Sequence, residues 1–247
     1  MLVIDAHIHV GANRRTKYYP VEQMLDDLAD ARADGAVVFA FPEDMYRITD
    51  SPQARAAANA YVLEAAQGRE HVYPFYFVWT DFVVPDDFAH YAGVKWHRHG
   101  DEPRYDYADP ACEAFLQAAA ALRMPVTLEE ELQDTAAFID RVSGTGLSVI
   151  IPHLGMLNGG ARATARFFDR PHVFFDTSCA PQEVGRWFLD EIGADRLLFG
   201  SDVSGTAQPF FNFPRVEREK VEALGLSEEE HRLIFGGNLV RLLGRGG

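Results

Sequence analysis

The chain has 247 residues, of which 47% are hydrophobic and 24% charged, a composition typical of a globular domain with a substantial core. Its formal net charge of −14 disfavours binding to nucleic acid or to an anionic membrane surface, because both carry dense negative charge. Two cysteines, no apolar run of about 18 residues and no signal-peptide pattern exclude a disulfide scaffold and a membrane protein, so we expect a cytoplasmic protein.

The first predicted element is an apolar strand over residues 2–10 that contains two histidines. Side chains at positions i and i+2 of a strand point to the same face, so His7 and His9 should lie side by side. This spacing is typical of metal ligands. Two half-buried polar residues at a strand end would give the same pattern, so other residues of the chain must decide between the two interpretations.

Short apolar runs and helical patterns then alternate along the chain. The predicted strands are 2–10, 36–41, 72–78, 92–97, 125–129, 147–153, 172–177 and 196–202. Helices are predicted, from apolar spacing and capping residues, near 21–31, 51–67, 110–122, 133–142, 161–168, 181–192 and 231–243. Eight such units in this length predict a single-domain (β/α)8 TIM barrel over residues 1–247, with a doubly wound open sheet as the alternative.

Most of the polar candidates fall at the carboxyl ends of predicted strands, where TIM barrels carry their functional groups. Burying so many polar groups unpaired would be costly, whereas one divalent cation satisfies several together. The candidates are His7, His9, Lys95, His97, Glu129, His153 and Asp202.

Four motifs in this order resemble the amidohydrolase superfamily, and most closely its amidohydrolase-related group of short single-barrel enzymes, which includes decarboxylases, lactonases and hydratases. The motifs are Asp5-Ala6-His7-Ile8-His9, His153-Leu154-Gly155, Phe199-Gly200-Ser201-Asp202 and Ile234-Phe235-Gly236-Gly237-Asn238. The resemblance implies that His7, His9 and Asp202 bind a divalent metal. It implies that His153 either binds a metal or polarises the substrate.

Glu129 departs from the family pattern, which has histidine at the end of strand five. A glutamate can still bind a metal, although its hard oxygen shifts the preference from zinc towards manganese or iron. Two neutral histidines with Glu129 and Asp202 would neutralise a single dication and weaken its effect on water. We therefore expect either a second ion or compensation by Lys95, which resembles the carboxylated bridging lysine of binuclear relatives. The alternative for Lys95 is an ion pair with Glu129 or Asp202.

The leading prediction is a metal-dependent hydrolase of an ester, lactone or amide in a small, carboxylate-bearing substrate. The cofactor is one or two divalent ions, preferably zinc, held by His7, His9 and Glu129 with Asp202 as a further candidate ligand. Asp202 is the predicted general base, and His153 polarises the carbonyl. His97, Arg98 and Arg14 are candidate substrate ligands, although solvated rim arginines are the commoner case. A decarboxylase or hydratase using the same site, a non-catalytic ligand-binding barrel, and assembly into a homo-oligomer are left open.

Overall fold

The computed structural model of the protein describes residues 1–11, 19–41, 51–98, 102–203 and 212–244. Eight strands form one parallel sheet in the order β1 to β8, so each strand pairs with its neighbour in the chain. The strands are β1 (Ile4–His9), β2 (Gly35–Phe39), β3 (Val72–Phe77), β4 (Gly93–His97), β5 (Val126–Glu129), β6 (Val149–Ile151), β7 (Val173–Asp176) and β8 (Leu197–Leu198).

Backbone hydrogen bonds between β1 and the segment that begins with β8 bring the two ends of the sheet together. The amide of Ala6 donates to the carbonyl of Phe199 over 2.8 Å, and the amide of His9 donates to Val203 over 3.1 Å. In the opposite direction, the Asp202 amide donates to the His7 carbonyl over 2.8 Å. The predicted (β/α)8 barrel is thereby confirmed.

Helices cover the outside of the barrel, close to the positions that the apolar spacing predicts. They are α1 (Val21–Asp30), α2 (Pro52–Ala66), α3 (Pro110–Ala121), α4 (Leu132–Val142), α5 (Ala161–Thr164), α6 (Gln182–Ile192), α7 (Phe213–Glu222), α8 (Glu228–Arg232) and α9 (Asn238–Leu242). The Ser51 hydroxyl caps α2, and Ser227 with Glu230 forms the predicted capping box of α8. Helix α7 lies where no helix is predicted.

The crossover between β3 and β4 differs from the others. Its residues, 78–92, are all described and contain a single 3-10 turn, Phe88–His90, in place of a crossover helix. The aromatic rings of Tyr76, Phe88 and Tyr91 pack edge to face there and cover this side of the barrel. A compact aromatic cluster thus replaces the helix that the (β/α)8 pattern would supply.

An irregularity in β1 sets which side chains enter the barrel. Ile4 and Ala6 pack with side chains of β2, β3, β6, β7 and β8, contacts that only the barrel interior allows. The pairing with β2 then shifts between Asp5 and Ile8, where β1 carries one extra residue. Because this bulge reverses the alternation, Ile8 packs outward against α1, while His7 and His9 lie against the interior ring of Phe39.

Two of the predicted strands are shorter than expected at their functional ends. β6 stops at Ile151, and His153 lies in a tight turn with a left-handed backbone (φ 56°). β8 contains two residues, so Asp202 lies four residues beyond it, also in a left-handed conformation (φ 55°). Both side chains reach the mouth of the barrel through loops. None of the helices within the described ranges has the length and hydropathy needed to cross a bilayer.

Candidate metal centre

His7 and His9 lie at the mouth of the barrel, and one ring nitrogen of each forms a hydrogen bond to the protein. The Nδ1–H of His7 donates to Asp176 Oδ2 over 2.9 Å, and the Nδ1–H of His9 donates to the carbonyl of Ala40 over 2.8 Å. Burial and the Lys95 charge lower the pKa of His7 to about 4, and burial lowers that of His9. Both rings are therefore neutral at pH 7, with the proton on Nδ1 and a lone pair on Nε2.

Asp202 faces both of these lone pairs. Its Oδ1 lies 3.3 Å from His7 Nε2 and 3.4 Å from His9 Nε2. Burial alone would raise the pKa of Asp202, but the histidines around it, including the protonated ring of His153, hold it below its usual range. The group is thus a carboxylate. Three acceptor atoms, two ring nitrogens and a carboxylate oxygen, therefore lie close together. Their lone pairs repel one another, and a cation bound between them would offset this repulsion.

His153 completes the mouth but differs in protonation. Its Nδ1–H faces the Ser178 carbonyl at 3.1 Å, and its Nε2 lies 3.7 Å from Glu129 Oε2 and 4.0 Å from Asp202 Oδ2. Burial opposes protonation of this ring, but the hydrogen bond and charge of Glu129, with the charge of Asp202, raise its pKa to about 9. At neutral pH His153 is an imidazolium whose Nε2–H points into the site.

Asp176, at the end of β7, is a residue of the site that the sequence analysis missed. Besides His7, it accepts hydrogen bonds at Oδ1 from the amide of His153 (3.1 Å) and the amide of Ser178 (3.0 Å), and the Ser178 hydroxyl also donates to it. One buried carboxylate therefore orients His7 on β1 and His153 after β6. Its position next to the last residue of the predicted strand 172–177 was a usable signal.

The inner face of β4 and β5 carries a second group of charged residues. Lys95 Nζ donates to Glu129 Oε2 over 3.1 Å and lies 3.3 Å from His7 Nε2. His97 lies 3.5 Å from Glu129 Oε1 through Nε2 and 3.3 Å from Glu102 Oε2 through Nδ1. The register of the two strands, in which His97 pairs with Glu129, brings these side chains together. Lys95 thus forms an ion pair with Glu129, as in one of the two alternatives given for it above.

The structure does not bring Arg98 to the site. Arg98 follows His97, so its side chain points to the opposite face of the strand, where its guanidinium contacts Glu130 (2.9 Å), Glu131 (3.4 Å) and Asp134 (3.3 Å). Three carboxylates hold it there, which corrects the sequence-based assignment as a substrate ligand. Arg14 lies outside the described residues.

Three groups of donor atoms in the described chain are compact enough to hold a metal ion, each with its atoms within 4.8 Å of one another. They are His7, Glu129 and His153; His7, His9 and Asp202; and His153, Cys179 and Asp202. Only the second group combines two imidazole lone pairs with an ionised carboxylate that has no ammonium partner. Cys179 is exposed, and its Sγ lies 3.8 Å from Asp202 Oδ2.

The sequence model of the amidohydrolase family matches residues 4–245. Comparison with curated protein sequences gives no match. Among solved structures, a probable 2-pyrone-4,6-dicarboxylic acid hydrolase from Acinetobacter baumannii superposes with a TM-score of 0.77 at 15% identity, covering 99% of this chain and 100% of that one. The 2,6-dihydroxybenzoate decarboxylase from Rhizobium gives 0.71 at 16% identity, covering 100% and 99%. The 5-carboxyvanillate decarboxylase from Sphingomonas paucimobilis gives 0.67 at 11% identity, covering 98% and 99%.

The match over nearly the whole chain shows that the protein belongs to the amidohydrolase family. It is therefore an enzyme of the amidohydrolase type, a class that includes hydrolases and decarboxylases. This sets aside the alternative of a non-catalytic barrel. At these identities the solved structures support the shared fold and say nothing further about the reaction.

Proposed function

We propose that the protein is a metal-dependent hydrolase that cleaves an ester, lactone or amide bond in a small, carboxylate-bearing substrate. The observation that carries the proposal is the convergence of His7 Nε2, His9 Nε2 and Asp202 Oδ1, two imidazole lone pairs and a carboxylate oxygen, within 3.4 Å of the shared Oδ1 atom. This donor set fits a divalent cation, with zinc preferred and manganese or iron as alternatives.

When bound, a divalent cation supplies Lewis acidity, which lowers the pKa of a water molecule and polarises a carbonyl oxygen. Asp202 is placed to accept a proton from the attacking water, because its side chain is ionised and a quarter exposed to the mouth of the barrel. His153 is placed to donate a hydrogen bond from Nε2 to the developing oxyanion, because its raised pKa keeps it protonated. We assign His153 to this polarising role in preference to metal binding.

His97 remains the proposed substrate ligand among the described residues. It lies on the inner face of β4, in contact with Glu129 and Glu102, so either ring nitrogen can exchange a carboxylate for a substrate group. Our proposals for Arg14, for a cytoplasmic location and for a homo-oligomer rest on the sequence arguments alone.

Decarboxylation is the second candidate reaction, because enzymes of the amidohydrolase type include decarboxylases, among them two of the structural neighbours named above. The same arrangement would serve it: the imidazolium of His153 can hold a substrate oxygen, and an acidic group can deliver a proton to the carbon that loses carbon dioxide.

The two reactions release different products, so a substrate screen separates them. Protein depleted of metal and then loaded with Zn²⁺ or Mn²⁺ is incubated with a panel of lactones, esters, amides and aromatic carboxylic acids. Metal-dependent acid release from a lactone, ester or amide supports the hydrolase, whereas carbon dioxide release supports the decarboxylase. Turnover that is equal in metal-free and metal-loaded protein would contradict metal dependence for both.

A further inference from the structure

Lys95 is a fully buried lysine that the proposed reaction does not use. Lysine is almost never buried completely unless its charge is paired. Its ammonium contacts three groups: Glu129 Oε2 at 3.1 Å, His7 Nε2 at 3.3 Å and the face of the Phe39 ring at 4.8 Å. Burial, an ion pair and a cation–π contact together hold the charge at one position inside the barrel mouth.

That position coincides with one of the three donor groups. Two of the residues that Lys95 contacts, His7 and Glu129, belong to the group completed by His153. A metal ion at this group would compete with the ammonium for the Glu129 carboxylate. The group formed by His7, His9 and Asp202 also contains His7, but its carboxylate does not pair with the ammonium.

The charges of the site also favour a single metal ion. Of the two carboxylates in the donor groups, Glu129 is paired with Lys95, so Asp202 is the one left to balance a dication. A second dication beside the ammonium would be repelled in this buried environment, where charge interactions are poorly screened. A carbamate on Nζ would instead place a new negative charge next to Glu129, in contact at 3.1 Å, and would be repelled as well.

We propose that the Lys95 ammonium stands in for a second metal ion: it neutralises Glu129 and limits the centre to one divalent cation, held by His7, His9 and Asp202. Lys95 is then an unmodified residue that sets the metal stoichiometry and preserves the Lewis acidity of the single ion. This inference rests on the proposed metal-dependent function.

The test is the stoichiometry of Mn²⁺ binding to metal-depleted protein, followed by electron paramagnetic resonance. We expect one ion per chain in the wild type. We expect two ions and a spin-coupled signal in Lys95→Met, because Glu129 loses its ammonium partner and its carboxylate can bind a cation instead. Lys220→Met is the matched control and should bind one ion, since Lys220 pairs with Glu217 on α7 and contacts neither Glu129 nor Asp202 in a salt bridge.

A second pair of variants keeps the test decisive if Lys95→Met does not fold. Glu129→Gln leaves the ammonium without its partner, so the single ion should bind at least tenfold more weakly, and the double variant Lys95→Met/Glu129→Gln should regain affinity to within a few-fold of the wild type. Two ions in the wild type, a carbamate carbon signal after growth with ¹³C-bicarbonate, or one ion in folded Lys95→Met would overturn the inference while leaving metal dependence intact. No binding to the wild type would overturn both.

Discussion

Replacing Asp176 with asparagine should weaken metal binding without unfolding the barrel. The carboxylate now accepts the Nδ1–H of His7 at Oδ2 over 2.9 Å and two backbone amides at Oδ1 over 3.0 and 3.1 Å. An asparagine oxygen can keep the two amide bonds, which turns its NH₂ group towards His7. His7 must then accept at Nδ1 and carry its proton on Nε2, so the lone pair facing Asp202 is lost.

The size of the effect follows from the loss of a hydrogen-bond partner behind a metal ligand, which typically costs 10- to 100-fold in affinity, or about 1.4–2.7 kcal/mol. We expect the upper end of that range for Asp176→Asn, because the substitution inverts the tautomer as well as removing a charge. A loss of affinity near tenfold would indicate that His7 keeps its proton on Nδ1 and donates it to the Ser178 hydroxyl, which lies 3.5 Å away.

The assay is competition for Zn²⁺ between the protein and a chromophoric chelator, with circular dichroism and the melting temperature recorded on the same samples. Asp169→Asn is the matched control: its side chain is 81% exposed and lies outside the site, so its affinity should equal that of the wild type. Affinity of folded Asp176→Asn within twofold of the wild type would refute the assignment of Asp176 as the residue that orients His7.

Three further predictions test other parts of the site. Asp202→Asn, assayed at saturating metal, should lose about 10²- to 10⁴-fold in kcat with an unchanged circular dichroism spectrum, and near-normal turnover would exclude Asp202 as general base. The wild-type rate should fall as the pH rises through about 9, because His153 then loses the proton that it donates; His153→Gln should be slower and lack this limb, and a limb that persists must come from another group. Gly155→Ala should destabilise the fold more than Gly144→Ala in urea unfolding: both positions have the same left-handed backbone (φ +79° and +80°), which costs about 1–2 kcal/mol, but only the Cβ at 155 would lie within 2.3 Å of Thr164. Equal losses would mean that Thr164 moves aside freely.

Much of the barrel could be predicted from the sequence because its signals are local. Apolar runs that end in polar residues gave the eight strands and their order, and Ser227 with Glu230 gave the start of α8 from a four-residue pattern. The period of two placed His7 beside His9, and both lie at the mouth. The same period, applied to β4, would have separated Arg98 from His97, since adjacent residues of a strand point to opposite faces.

The sequence by itself determined the alternation of strands and helices and the polar residues at the strand ends, because chain periodicity and residue chemistry are properties of short segments. Only the tertiary structure decided which of those residues meet. The bulge in β1 turns His7 and His9 inward, and Asp176 joins β1 to β6 across the barrel. The register of β4 against β5 sets His97 opposite Glu129 and leaves Lys95 within ion-pair distance of the same carboxylate. The tertiary structure also decides the protonation of the histidines. Burial and Lys95 lower the pKa of His7, whereas Glu129 and Asp202 raise that of His153, and these charged residues lie far from the histidines in the sequence.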